Sequence, residues 1–184
     1  MHTDEITRIL KHLLANSRAR FLGVFASDIL PPLKSIQSLV PSCNVSKMYP
    51  TGKGGTNWVI FSQSRQYWLQ FLDRYGREPY EFGFRFPKCL LIFHNRYQIQ
   101  AFWTHVCGHF CIFIVYHRAH NYSLHSICKK FSTLPYFVSA SIVSSIIHKF
   151  EERINMKWMM KCERHEGNKG LLLGGHIEKK SDLC

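Results

Sequence analysis

Residues 103 to 111, "WTHVCGHFC", put two histidines and two cysteines into nine positions. Three chemistries compete for such a stretch: a metal site, a packed core and a nucleophile. For a metal, His105, Cys107, His109 and Cys111 alternate at a spacing of two, whereas structural zinc sites draw paired ligands from two separate segments. On a helix these positions step round the axis by roughly 200° each, so they converge on one ion only if the segment is a strand. No metal site is therefore expected. Cys162, His165, His176 and Cys184 near the end of the chain are too loosely spaced to make a second one.

For a core, cysteine behaves as a small buried hydrophobe, and Cys89, Cys111 and Cys128 each sit in an apolar pattern. Cys107 differs. Gly108 follows it, and the apolar run "CGHFCIFIVYHRA" that begins there suits a buried helix. A thiol at a helix N-terminus feels the positive end of the macrodipole, which favours thiolate, and a glycine beside it lets another backbone approach closely. A cysteine nucleophile also needs a base, a group that orients the base and a donor for the oxyanion. Gln100, in "QIQAFW", carries an amide able to donate, and Asp73, in "FLDRYG", is a carboxylate before a turn. Each alone has a plain structural role, Gln100 as a solvated amide and Asp73 as a turn former.

The elements that would position these residues read as α+β. Thr3 or Asp4 caps a helix with Ile6, Ile9, Leu10, Leu13 and Leu14 on one face. "FLGVF" is a short strand ended by Asp28 and the Pro31–Pro32 pair, and 42–55, "SCNVSKMYPTGKGG", reads as loop. "NWVIFSQ" and "YWLQFLD" are strands, "RYGREP" closes the second of them, and "KCLLIFHN" is a third, buried strand. From about Trp103 the pattern turns helical. Two later helices place Leu124, Ile127, Cys128 and Phe131, then Ile142, Val143, Ile146, Ile147 and Phe150, inward. One domain spans 1–150, and 151–184 is a basic, aperiodic tail.

The 184 residues carry 24 Lys and Arg against 12 Asp and Glu, a formal net charge of +12, which favours nonspecific contact with nucleic acid or another polyanion. No zinc-finger spacing or aromatic RNA-binding signature supports a sequence-specific reader. Seven irregularly spaced cysteines and an opening without an apolar leader point to free thiols in a reducing, intracellular setting. The longest apolar run, Phe110 to Tyr116, is far short of the roughly 20 residues of a membrane span, so no membrane partner is expected.

"GGTNWVIF", "FLDRYGREP" and "QIQAFWTHVCGHFCIFIV" together resemble the adenovirus protease (adenain) family of cysteine peptidases, above all its members in large DNA viruses and Maverick/Polinton-type mobile elements. The resemblance runs from about Phe21 to Phe150. It implies a papain-like/adenain-like fold, a mixed sheet packed with helices and a nucleophile opening the buried central helix. It also implies an endopeptidase acting on precursor proteins, with protein or peptide as substrate. By position, Cys107 matches the nucleophile, Gln100 the oxyanion-hole amide, Asp73 the carboxylate that orients the base, and Trp58 the tryptophan beside the base, with Gly108 next to the nucleophile. The base histidine itself falls on Asn57 in "GGTNW". An asparagine cannot accept and return a proton near neutral pH, so the resemblance allows either an endopeptidase rescued by another histidine (His94, His105 or His109) or a catalytically dead protease fold that binds peptide or nucleic acid. No resident cofactor is implied. The family does imply a DNA or peptide activator, and a virion or host-nucleus location.

Overall fold

The computed structural model describes residues 1–29, 42–47, 58–65, 68–86, 91–101 and 103–173, with backbone alone for 20, 42–47, 63–65, 68 and 161–173. The chain divides into two compact units, Met1–His148 and Lys149–Cys184.

The first unit is α+β. Helix α1 (Thr3–Leu13) leads into strand β1 (Arg20–Phe25), followed by β2 (Ser42–Lys47), β3 (Trp58–Arg65), β4 (Trp68–Leu72) and β5 (Leu91–His94). The five strands form one sheet in sequence order. The sheet is mixed: β1 and β2 run parallel, β3 is antiparallel to both β2 and β4, and β4 and β5 run parallel. Helices α2 (Cys107–Ala119), α3 (Leu124–Ser132) and α4 (Tyr136–Leu173) follow.

The alternation of side chains along paired strands gives the sheet two different faces. Ser62 pairs with Gln70 and Gln70 with Phe93, so these three share a side, and Ser62 meets Arg118 of α2 there at 3.5 Å. That side is the helical one, with α2 lying on β2 and β3, α1 against α2 and β1, and α3 against α2. The opposite side carries Val59, Phe61, Leu69, Phe71 and Ile92, capped by Phe82, Phe84 and Phe86 from the β4–β5 crossover. Their rings meet at centroid separations of 5.0 to 6.4 Å, mostly tilted or edge-on, as the aromatic quadrupole prefers.

α1 begins at Thr3 with His2 in the capping position, one residue ahead of the expected cap, and the Glu5 carboxylate accepts the His2 backbone N–H. Ile6, Ile9, Leu10 and Leu14 are buried as their spacing requires. α3 buries Leu124, Ile127, Cys128 and Phe131, and Ser123 caps it by accepting from the Ser126 N–H.

Three expectations change. Ser42–Lys47 is a strand, not a loop, because β2 lies between β1 and β3 and both its backbone edges are paired, which outweighs its weak propensity. β5 is an edge strand and not a buried one: Leu91 and Phe93 remain 54% and 47% exposed. In α4, Val143 and Ile147 are buried but Ile142 is exposed.

In the second unit α4 continues as far as Leu173, through much of the segment read as an aperiodic tail. Met156, Trp158, Met159 and Met160 are exposed there, so this stretch lacks the one-sided apolar pattern by which a helix is read from sequence. Among the described residues no helix is long and apolar enough to cross a membrane.

Candidate functional site

The mixed topology gathers several loops at one end of the sheet. Because β4 and β5 are parallel, their C-terminal ends lie side by side, and because β3 is antiparallel to β4, its start lies there too. Asp73 follows β4, Asn95 follows β5, and Trp58 opens β3, buried on the helical side.

Asp73 is fully buried. Its Oδ2 accepts from the backbone N–H groups of Tyr75 and Arg77, both at 3.2 Å, and from Arg77 Nε at 3.0 Å. The carboxylate thus holds its own turn and pairs with a half-buried guanidinium that also lies over the Tyr75 and Phe82 rings. Asn95 ties this turn to the next loop: its Oδ1 accepts from Asp73 N–H at 3.1 Å, and its Nδ2 donates to the carbonyls of Asp73 and Tyr97 at 2.7 and 2.9 Å. Ile99 N–H donates to the Arg74 carbonyl at 2.8 Å. Gly76 takes a left-handed φ of 77°, and a Cβ there would meet the Arg96 and Tyr97 backbone at 3.0 Å, so glycine is required on both counts.

From this corner the chain runs through Gln100 into α2. The Gln100 side chain is buried, and its Nε2 donates to both the carbonyl and the hydroxyl of Thr104 at 2.8 Å. Both amide hydrogens are therefore committed to the turn that raises the exposed Trp103, and Oε1 is a buried acceptor without a hydrogen-bond partner among the described residues. An oxyanion would have to displace one Thr104 bond to be held by this amide.

Cys107 is the first residue of α2 and is buried at 7% exposure, with Val106 as a cap that offers no side-chain bond. Gly108 is approached by a side chain and not by a backbone: a Cβ at this position would lie 2.9 Å from the Met1 sulfur. One turn on, burial holds the Cys111 thiol well above its ordinary pKa; Cys107 and Asp73 push the same way and Arg74 opposes them. Burial lifts the Cys128 thiol to about 12, so Cys111 and Cys128 remain protonated packing groups.

Asn57 and Cys89 lie outside the described residues, as do the side chains of Cys162 and His165 and all of His176 and Cys184. Of the three histidines considered as substitutes for a base, His94 faces Glu78 at 3.7 Å from the aromatic side of the sheet, and His105 is exposed. His109 has a buried Nδ1 without a hydrogen-bond partner among the described residues. Burial lowers its pKa, the Met1 amino group adds to that shift, and Glu5 opposes it. Among the described residues no three His, Cys, Asp or Glu side chains converge on a point that could hold a metal ion.

Sequence reasoning did not pick out Asn95, Arg77 or Thr104, which hold the site together. Only Arg77 had a local signal, four residues after Asp73. Asn95 matters because β4 and β5 are parallel, which no short stretch of sequence displays. No protein-family model and no curated protein matches this chain.

Proposed function

We propose that this chain is a cysteine endopeptidase scaffold of the adenain-like kind, of viral or mobile-element origin, whose peptide-bond hydrolysis is silenced by Asn57 at the base position. One observation supports the reading: Asp73, fully buried just after β4, is tied by Asn95 to the β5 loop, and that loop runs on through the buried Gln100 into a buried helix that opens at Cys107. Asp73, Gln100 and Cys107 are among the residues, in the same order, on which the resemblance to adenain-like peptidases rests. Cys107 is the first residue of α2, and Gln100 lies in the loop just before it. What is missing is a group to take the thiol proton and return it to the leaving amine.

Members of such a catalytic set act as a unit, so loss of the base costs on the order of 10³-fold or more in rate. The residual property is recognition of the peptide without turnover. The test compares hydrolysis of a mixed peptide library by the unmodified chain, Asn57→His and Asn57→His/Cys107→Ala. Cleavage by Asn57→His at a rate at least about 10³ above the unmodified chain, abolished in the double variant, is the expected result. Cleavage by none of the three, or cleavage that survives loss of Cys107, overturns the reading.

A further inference from the structure

α2 lies on β2 and β3, and α3 packs on α2. The register carries the helical face outward from Ser62 through Gln70 to Phe93, so Phe93 of β5 points to the helical side, where it stays 47% exposed. Between this strand and the start of α3 is a cavity of about 380 Å³. That is within the range, on the order of 300 to 1,000 Å³, of sites that hold small organic ligands.

Its lining has two chemistries. Phe93, Leu124 and Cys128, with its protonated thiol, supply an apolar floor, and the amides of Gln70 and Asn95 border it. Arg96, Tyr97 and His125 stand at the rim, all exposed. His94 also borders the cavity, but the alternation along β5 sends its ring to the opposite side, toward Glu78. Among the described residues the side chains of Arg96 and His125 make no hydrogen bond or ion pair, and no acidic residue lines the cavity. An apolar floor beneath an uncommitted guanidinium is complementary to a molecule with a hydrocarbon or aryl body and one carboxylate, since Arg offers a planar fork of donors that matches a carboxylate.

We propose that this cavity is a binding site for a small apolar carboxylate, its body on Phe93 and Leu124 and its carboxylate on Arg96. The cavity adjoins the Asp73 corner, since Asn95 lines the one and ties the other, but the proposal does not depend on peptide hydrolysis.

The test titrates the full chain with 4-phenylbutyrate and with its neutral amide, 4-phenylbutyramide, by calorimetry and ligand-observed NMR. A ligand of this size is expected to bind with a Kd of about 1 mM or tighter. The amide should bind about tenfold more weakly, because it lacks the charge that Arg96 recognises. Arg96→Gln should reduce acid binding to the amide's level and leave the amide unchanged, and Phe93→Ser should weaken both. Both residues are exposed, so the variants should fold, and circular dichroism verifies that they do. No binding of the acid at 10 mM overturns the proposal; so does equal binding of acid and amide, or acid binding indifferent to Arg96→Gln in a folded variant.

Discussion

The two ends of β5 behave in opposite ways. At its C-terminal end, Asn95 and the neighbouring Asp73 turn are buried and heavily bonded: three donors converge on one carboxylate oxygen, and one asparagine side chain ties three backbone groups. Along the strand itself, Leu91 and Phe93 lie open. The difference is one of parallel pairing against edge position. Two parallel strand ends side by side bring polar loop atoms into contact, and burial then requires each to find a partner. An edge strand pairs on one side only, and the outer side chains of β5 stay half exposed among the described residues. The first region fixes geometry, and the second leaves surface for recognition.

If that contrast is right, substitutions in the bonded corner should cost far more than those on the open strand. The largest effect is expected for Asp73→Ala, which strands two turn N–H groups and the Arg77 guanidinium. A loss of about 3 kcal/mol in urea unfolding is expected, and a loss under about 1 kcal/mol would remove the distinction between the two regions. Gly76→Ala comes next. It forces a side chain into a left-handed backbone and against the Arg96 and Tyr97 main chain, for a cost of about 2 kcal/mol by the same measurement.

Between the extremes is the start of α2, buried but incompletely bonded at His109. Burial lowers the pKa values of His109 and His117, although a hydrogen bond to the Phe113 carbonyl opposes the shift at His117. Lys130 and His120 reinforce it at His117; the Met1 amino group reinforces it at His109, where Glu5 opposes it. The unfolded chain therefore binds protons more readily than the folded one as pH falls through about 6.5, so stability is highest above that value and declines below it. Urea midpoints at pH 7.5 and pH 5.5 should show this drop, and His109→Gln/His117→Gln should reduce it. The smallest effect is expected for Phe93→Ser, within about 0.5 kcal/mol of the unmodified chain, as for an exposed position. A loss of more than 1 kcal/mol would mean that β5 is packed after all.

Much of the architecture was legible locally. The period of Ile6, Ile9, Leu10 and Leu14, and that of Leu124, Ile127, Cys128 and Phe131, correspond to buried faces because a helix against a core needs one apolar stripe. β2 was not legible, since its six residues gain their conformation from partners on both sides. β5 was legible as a strand but not as an edge, because an apolar run reads the same whether one neighbour is present or two. Around the site, Cys107 at the head of a buried helix and Asp73 before a turn could be read from residue type and spacing. Their partners could not: Arg77, Asn95 and Thr104 matter through contacts created by folding.

Residue type and order by themselves determined the class of the fold, the thiol at the head of α2, and the absence of a histidine at position 57, since each is a matter of local pattern or chemical identity. Only the tertiary structure decided that Asp73 is bound to Arg77, that the Gln100 amide is held by Thr104, and that Phe93 overlooks a cavity. Those outcomes depend on which strand ends lie side by side and how the helices pack on the sheet. Both are set by packing of the whole chain.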